Sequence, residues 1–224
     1  MGKNDTRGDE MVTLLFCAGE LSDASLTAIA SLSPDCVIGV DAGADIASEV
    51  GLDVDIVIGD LDSVRHTDYE PDKLHQIESQ NNSDLAKALD YCSAQSWRDI
   101  IIVGIDGGRA DHALAIWATL ATASSELRIE MYTYDSIAYR ATSKCSVELG
   151  LRRSTTFSVF GLAPPPEESA ATVTLSGGEW SFEKEKLPFS SRGLSNRSIE
   201  DVVTLSTNGV AVIIAPISSI IERK

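Results

Sequence analysis

The chain has 224 residues, 43% hydrophobic and 23% charged, enough for one large domain or two small ones with ample core. Its 34 acidic against 18 basic residues give a formal net charge of −16, which excludes a nucleic-acid surface, disfavours unaided binding of a polyphosphate and favours a small cationic ligand. No apolar run approaches the roughly 20 residues of a membrane span, and no secretory pattern opens the chain.

Residues 1–11 read as a flexible polar tail. Met1-Gly2 with Thr6 matches the loose myristoylation pattern, which recurs by chance. Val12 to Cys17 and Cys36 to Val40 are short apolar runs of strand type, and Leu21 to Leu32 between them is helix-like. Ala44 to Val50 makes a short helix and Asp55 to Ile58 a third strand. Ser83 to Gln95 is predicted as a helix with Ser83 as its N-cap and a stripe of Leu85, Leu89 and Cys92. Ile100 to Val103 is a strand, Ala110 to Ser124 a helix, and Leu127 to Tyr132 another strand. Continuously apolar strands alternating with helices predict a parallel sheet covered on both faces. From Ser136 the pattern changes to short alternating runs of Thr, Ser and Val. Ala163-Pro164-Pro165-Pro166 and Gly177-Gly178 mark loops, and Ile199 to Leu205 with Val210 to Ala215 reads as a hairpin. The expected division is therefore an α/β domain over 12–135 and a small antiparallel β domain over 136–224. Cys17, Cys36, Cys92 and Cys145 are widely separated with no CxxC pair, and Cys17 and Cys36 in their apolar runs read as buried thiols, which fits a reducing, cytoplasmic setting.

Ligands of open parallel sheets bind at the carboxyl ends of the strands, and Asp60 and Asp62 in "IVIGDLDS" lie just past the third strand. Magnesium favours one or two carboxylates, waters and phosphate oxygens, so this pair suits a metal that carries phosphates into an acidic protein. A turn built on Asp side chains is the plainer reading. Asp84 opens a helix, where it either complements the dipole or serves as a third metal carboxylate. Gly107, Gly108 and Arg109 follow a strand and precede a helix: the glycines expose amides and Arg109 offers a forked donor, an arrangement suited to phosphate. Asp111 and His112 follow, as a helix cap and a structural group or as site residues. Trp180 is either core or a stacking platform for a flat cation.

These segments, in this order, resemble the thiamine pyrophosphokinase family, and the resemblance runs from about Val12 over nearly the whole chain. Asp41-Ala42-Gly43-Ala44 is similar to the family's Asp-Gly-Gly-Ala turn, and Gly59-Asp60-Leu61-Asp62-Ser63 to its Gly-Asp-Phe-Asp-Ser. Gly107-Gly108-Arg109-Ala110-Asp111-His112 resembles its Gly-Gly-Arg-x-Asp-His, and Ser191-Arg192-Gly193-Leu194-Ser195-Asn196 the Ser-Arg-Gly-x-Ser-Asn of bacterial members. The resemblance implies a Rossmann-like, parallel-sheet nucleotide-binding domain followed by an antiparallel β-sandwich domain for thiamine binding and dimerisation. It implies a homodimer with active sites at the subunit interface. The implied reaction moves a pyrophosphoryl group from ATP to the hydroxyl of thiamine, leaving AMP. Asp60, Asp62 and Asp84 would hold magnesium and form the catalytic set. Asp41, Gly43, Ser63, Gly107, Gly108 and Arg109 would contact ATP. Gln80, Ser83, Asp111, Ser195 and Asn196 would contact thiamine, with Trp180 as the aromatic candidate.

Three departures stand out. Ala42 replaces a glycine, a mild change if the backbone there is not left-handed. The family's acidic-Gln-Asp-x-Thr-Asp becomes Ser79-Gln80-Asn81-Asn82-Ser83-Asp84, and Ile116 stands where an asparagine is common. Two other readings compete. "IVIGDLDSV" also fits the pattern of haloacid dehalogenase-like phosphatases, with Asp60 as nucleophile and Asp62 as acid–base, although there the motif usually follows the first strand. A non-catalytic nucleotide or thiamine sensor of the same fold is the other.

Overall fold

The computed structural model describes residues 11–65, 69–162 and 170–223. The expected tail lies outside them except for Met11, as does the Ala163–Pro166 loop. The first half supplies strands β1 (Val12–Phe16), β2 (Cys36–Val40), β3 (Ile56–Gly59), β4 (Leu74–Gln76), β5 (Asp99–Val103) and β6 (Arg128–Tyr132). Its helices are α1 (Asp23–Ser31), α2 (Gly43–Glu49), α3 (Asp84–Ala94) and α4 (Ala110–Thr122). Every neighbouring pair among these strands is parallel, in the order β6-β5-β1-β2-β3-β4.

Burial explains the arrangement. β2 and β5 are buried at every residue, so both faces need cover. Leu14, Phe16, Ile101 and Val103 face one core cluster with Ile29 of α1 and Ala44 and Ala47 of α2. Leu15, Ile38, Ile58, Ile100 and Ile102 face the other, with Leu85, Leu89 and Cys92 of α3 and Leu120 of α4. Ser83 caps α3 as expected, accepting from the Ala86 amide at 3.3 Å. The chain steps outward from β1 to β4, then returns to set β5 on the opposite side of β1. The sheet therefore has its topological switch point between β1 and β5, the place where such sheets open a crevice.

The second half supplies β7 (Ser136–Thr142), β8 (Val147–Leu151), β9 (Thr156–Gly161), β10 (Ala171–Ser176), β11 (Phe182–Leu187), β12 (Asn196–Arg197), β13 (Val202–Thr207), β14 (Val210–Pro216) and β15 (Ile220–Arg223). β7, β14, β9 and β12 extend the first sheet antiparallel from β6, giving it ten strands. The expected division at 135/136 falls in the β6–β7 turn, closed by the Thr133 amide donating to Ser136 O at 2.8 Å, and one sheet runs through it. The remaining strands form a second, antiparallel sheet in the order β11-β10-β13-β8-β15.

The expected hairpin at the C-terminal end is not formed: β13 lies between β10 and β8, whereas β14 lies between β7 and β9 in the large sheet. The run Val210–Ala215 is apolar on both faces, and Ala211, Val212 and Ile213 are all buried. Only the interior of the large sheet covers both faces of such a strand. Val203 and Leu205 of β13 meet Ala211 and Ile213 across the shared core instead of pairing with them edge to edge. The Ser206–Gly209 segment is thus a corner between sheets. Asn208 fastens it to β10, donating its amide to Thr172 O at 3.2 Å and accepting the Thr172 amide on Oδ1 at 2.8 Å. Among the described residues no helix is long and apolar enough to cross a membrane.

Candidate active site

Parallel register places the acids. Val40 pairs with Ile58, so the residues that follow each strand leave the sheet side by side: Asp41 after β2 and Asp60 after β3. The Asp41 amide donates to Ile58 O at 2.8 Å, which locks this juxtaposition. Asp41, Asp60 and Asp62 each offer a carboxylate oxygen, and the three oxygens lie within 4.8 Å of one another. Asp41 has φ +47 and Leu61 φ +65, left-handed values that non-glycine residues adopt rarely and at a cost. Ala42 has φ −57, so the alanine in place of glycine costs nothing there. Gly43 is needed for closeness: a Cβ on it would lie 1.9 Å from the Phe16 carbonyl oxygen.

Each carboxylate has a distinct environment. Oδ1 of Asp41 is buried without a hydrogen-bond partner. Burial pushes the Asp41 carboxyl above the usual range; the charges of Asp84 and Asp60 add to this, while the Ala42 amide and Ser63 hydroxyl oppose it. Asp60 goes the other way. The Gln80 amide donates to its Oδ2 at 3.0 Å and holds its carboxyl below the usual range, helped by the Asp62 amide. Gln76 of β4 donates to the Asp60 carbonyl at 3.0 Å, and the Ser63 hydroxyl to Asp62 Oδ1 at 2.8 Å. Asp84 stands outside the group of three. Its Oδ1 accepts from Lys87 Nζ at 2.8 Å.

A cavity of about 710 Å³ opens beside this cluster at the switch point, within the size range of small-molecule sites. Its walls come from the loops after β1 (Cys17–Glu20), β2 (Asp41) and β5 (Gly104–Gly108), and from Ser83, Asp84, His112 and Ile116. The Gly19 amide donates to Gly104 O at 2.6 Å and the Glu20 amide to Asp106 O at 2.7 Å, zipping two of these loops together. Gly107 and Gly108 have φ +76 and +72, a turn that β-carbon-bearing residues resist. Among the described residues the lining holds Glu20, Asp41, Asp84 and Asp106 and no lysine or arginine. Burial pushes the Asp106 carboxyl up, with Asp135 and Glu20 adding to it, and pushes the Cys17 thiol up to about 12. A polyphosphate entering such a cavity meets net repulsion unless a cation accompanies it. Three converging carboxylate oxygens, with a buried, unpartnered oxygen on Asp41, fit a hard divalent cation.

The remaining expected site residues fall into two places. Arg109 holds the N-cap position of α4 with its side chain 78% exposed. Its guanidinium forks onto Asp111, Nε to Oδ1 at 3.1 Å and Nη2 to Oδ2 at 2.8 Å, and this pairing holds the Asp111 carboxyl below the usual range. Trp180 and Asn196 line a separate cleft of about 520 Å³ with Phe182, Arg192 and Leu194. Trp180 is 56% exposed and so is not core. Asn196 is buried, and its amide is spent on backbone: Nδ2 donates to Trp180 O at 2.6 Å, and Oδ1 accepts from the amides of Trp180 at 3.1 Å and Arg197 at 2.8 Å. Ser195, at φ +58, donates its amide to Ser158 Oγ at 3.1 Å. Within one chain, then, Asp41, Gly107, Gly108, Ser83 and Asp84 share the first cavity, and among the described residues the Trp180 cleft shares no lining residue with it.

Two features escaped the sequence reading. Asp41, expected as a nucleotide contact, sits with the acids; its place after β2, equivalent to that of Asp60 after β3, was the available signal. Glu20 and Asp106 come together only through the zipped loops.

An α/β sheet with an acid cluster and a cavity at its switch point describes a class of nucleotide-handling site. Residues 31–132 match the family model "Thiamin pyrophosphokinase, catalytic domain", which bears out the family resemblance. That segment contains three of the four motifs; the Ser191–Asn196 motif lies beyond it. Solved thiamine pyrophosphokinases share the fold. The enzyme of Geobacillus thermodenitrificans is 22% identical with a TM-score of 0.71, over 92% of this chain and 97% of that one. That of Bacillus subtilis is 21% identical with a TM-score of 0.68, over 92% and 98%. That of Candida albicans is 13% identical with a TM-score of 0.69, over 93% and 89%. No curated protein matches the chain in sequence.

Proposed function

We propose that this protein is a magnesium-dependent thiamine pyrophosphokinase. The observation that carries the reading is the convergence of Asp41, Asp60 and Asp62 at the carboxyl edge of the sheet, inside the segment that matches the catalytic-domain model. In the reaction the thiamine hydroxyl oxygen bonds to the β-phosphorus of ATP, the bond from that phosphorus to the α,β-bridging oxygen breaks, and AMP leaves. Asp60 and Asp62 would hold magnesium, with Asp41 or Asp84 as a further carboxylate. The metal, when bound, supplies charge neutralisation between carboxylates and polyphosphate. The amides of Gly107 and Gly108 and the Arg109 fork would receive phosphate oxygens once Arg109 releases Asp111. Ser63 and Gly43 would contact ATP, and Gln80 and Ser83 would contact the acceptor.

The separate Trp180 cleft supports a homodimer in which a second copy brings Trp180 and Ser195 over the cavity, with Asn196 holding the Trp180 backbone in place. The net charge of −16 would draw in the cationic thiazolium, and Trp180 would stack on it. A cytoplasmic site of action accords with the four free cysteines. Phosphorus NMR of a reaction containing ATP, thiamine and magnesium tests the reading. Thiamine diphosphate and AMP should appear in equal amounts. Formation of ADP or inorganic phosphate instead, or cleavage of p-nitrophenyl phosphate without ATP, would reject it.

A further inference from the structure

Lys87 is oddly placed for a lysine. Its side chain is 5% exposed, although an ammonium buried away from water is expensive unless paired. It lies one turn into α3, near the positive end of the helix dipole, where a cation is disfavoured. The stripe that docks α3 on the sheet, Leu85, Leu89 and Cys92, does not need it. What it does reach is the acids: Nζ is 2.8 Å from Asp84 Oδ1. No other lysine or arginine lines or ion-pairs with this cluster among the described residues.

We infer that Lys87 is the resident counter-charge of the acid cluster and a positioning residue for Asp84. Its ammonium holds Asp84 apart from Asp41, Asp60 and Asp62 and offsets one of the four carboxylates. The cluster then pulls less strongly on a free divalent cation than it would without the ammonium. This rests on the metal reading of the site. The balance is one of fixed charges: four carboxylates against one ammonium carry less net negative charge, and so pull less on a free dication, than four carboxylates alone.

The test is Mn²⁺ binding to the nucleotide-free protein, followed by electron paramagnetic resonance. Lys87→Gln should bind Mn²⁺ about tenfold more tightly than wild type, the scale of one nearby full charge acting on a dication. Lys87→Arg, which keeps the charge, should bind close to wild type. A merely structural lysine would lower the melting temperature on substitution and leave the Mn²⁺ affinity alone. Lys87→Met, similar in length and uncharged, serves the same readout if the glutamine variant does not fold. Mn²⁺ bound no more tightly by the uncharged variants than by wild type overturns the role of Lys87 and leaves the metal reading standing. Mn²⁺ bound by neither protein overturns both.

Discussion

The two edges of the parallel sheet treat their carboxylates in opposite ways. At the amino ends of the strands, Asp35 accepts the Val12 amide at 2.8 Å and Asp55 the Val37 amide at 2.8 Å. Asp99, on the same edge, is forked by Arg128 at 2.6 and 2.7 Å. These acids tie one strand to the next. At the carboxyl ends, Asp41 keeps a buried oxygen without a partner, two residues take left-handed backbone, and three carboxylates converge. One edge spends its charges on the fold; the other leaves a buried carboxylate oxygen unmet, a group that a bound cation would satisfy.

Substitution at each edge should therefore separate stability from activity. The largest effect is expected for Asp60→Asn, which should cost at least roughly 100-fold in turnover, as loss of a metal's charge stabilisation does, with little change in the urea midpoint. EDTA should bring wild type to background in the same assay. Asp99→Asn should do the reverse. Breaking its fork with Arg128 should cost about 2–4 kcal/mol in urea unfolding and leave Mn²⁺ binding at the other edge unchanged. Activity lost and stability kept on changing Asp99 would erase the contrast.

Arg109→Lys comes next. A lysine cannot fork, so the KM for ATP should rise about tenfold while thiamine binding holds, a split readable in steady-state kinetics. Equal losses for both ligands would make Arg109 structural. Trp180→Ala should weaken thiamine by about 0.5–2 kcal/mol, seen by calorimetry, with ATP untouched. Mixed with Asp60→Asn at limiting thiamine, it should also exceed the mean activity of the two variants, because hybrid dimers make about a quarter of the sites wild type if each site is built from two chains.

The smallest effect concerns Asp41. Its carboxyl titrates above the usual range when folded, so in metal-free protein its ionisation opposes folding. That penalty is absent below the unfolded value, grows as pH rises from the unfolded to the folded value, and is complete above it. Asp41→Asn should consequently raise the metal-free melting temperature slightly at pH 7 and not at pH 3. Magnesium should stabilise wild type more than the variant at pH 7. A variant melting below wild type at pH 7 without metal would contradict the assignment.

Much of this was legible in the residues. Strands β1, β2, β3 and β5 are largely apolar runs, and α3 carries both its cap and its stripe in sequence. β4, with three residues, and β12, with two, carry too little pattern to read. β13 and β14 each read correctly as strands, but pairing is a tertiary choice, and the demand of Val210–Ala215 for two covered faces outweighed the short connection. In the site, the motif acids Asp60 and Asp62 announce themselves by spacing. Asp41 joins them only through the register of β2 on β3, and Lys87 through the fold of a helix flank onto the cluster, neither of which a one-dimensional pattern contains.

The central claim is that the carboxyl edge holds a divalent cation. Anomalous diffraction from crystals grown with Mn²⁺, thiamine and a non-hydrolysable ATP analogue tests it most directly. A Mn²⁺ peak should lie among the carboxylates of Asp41, Asp60 and Asp62 and vanish in Asp60→Asn. A peak seated elsewhere in the molecule, or none in the wild-type complex, would contradict the account.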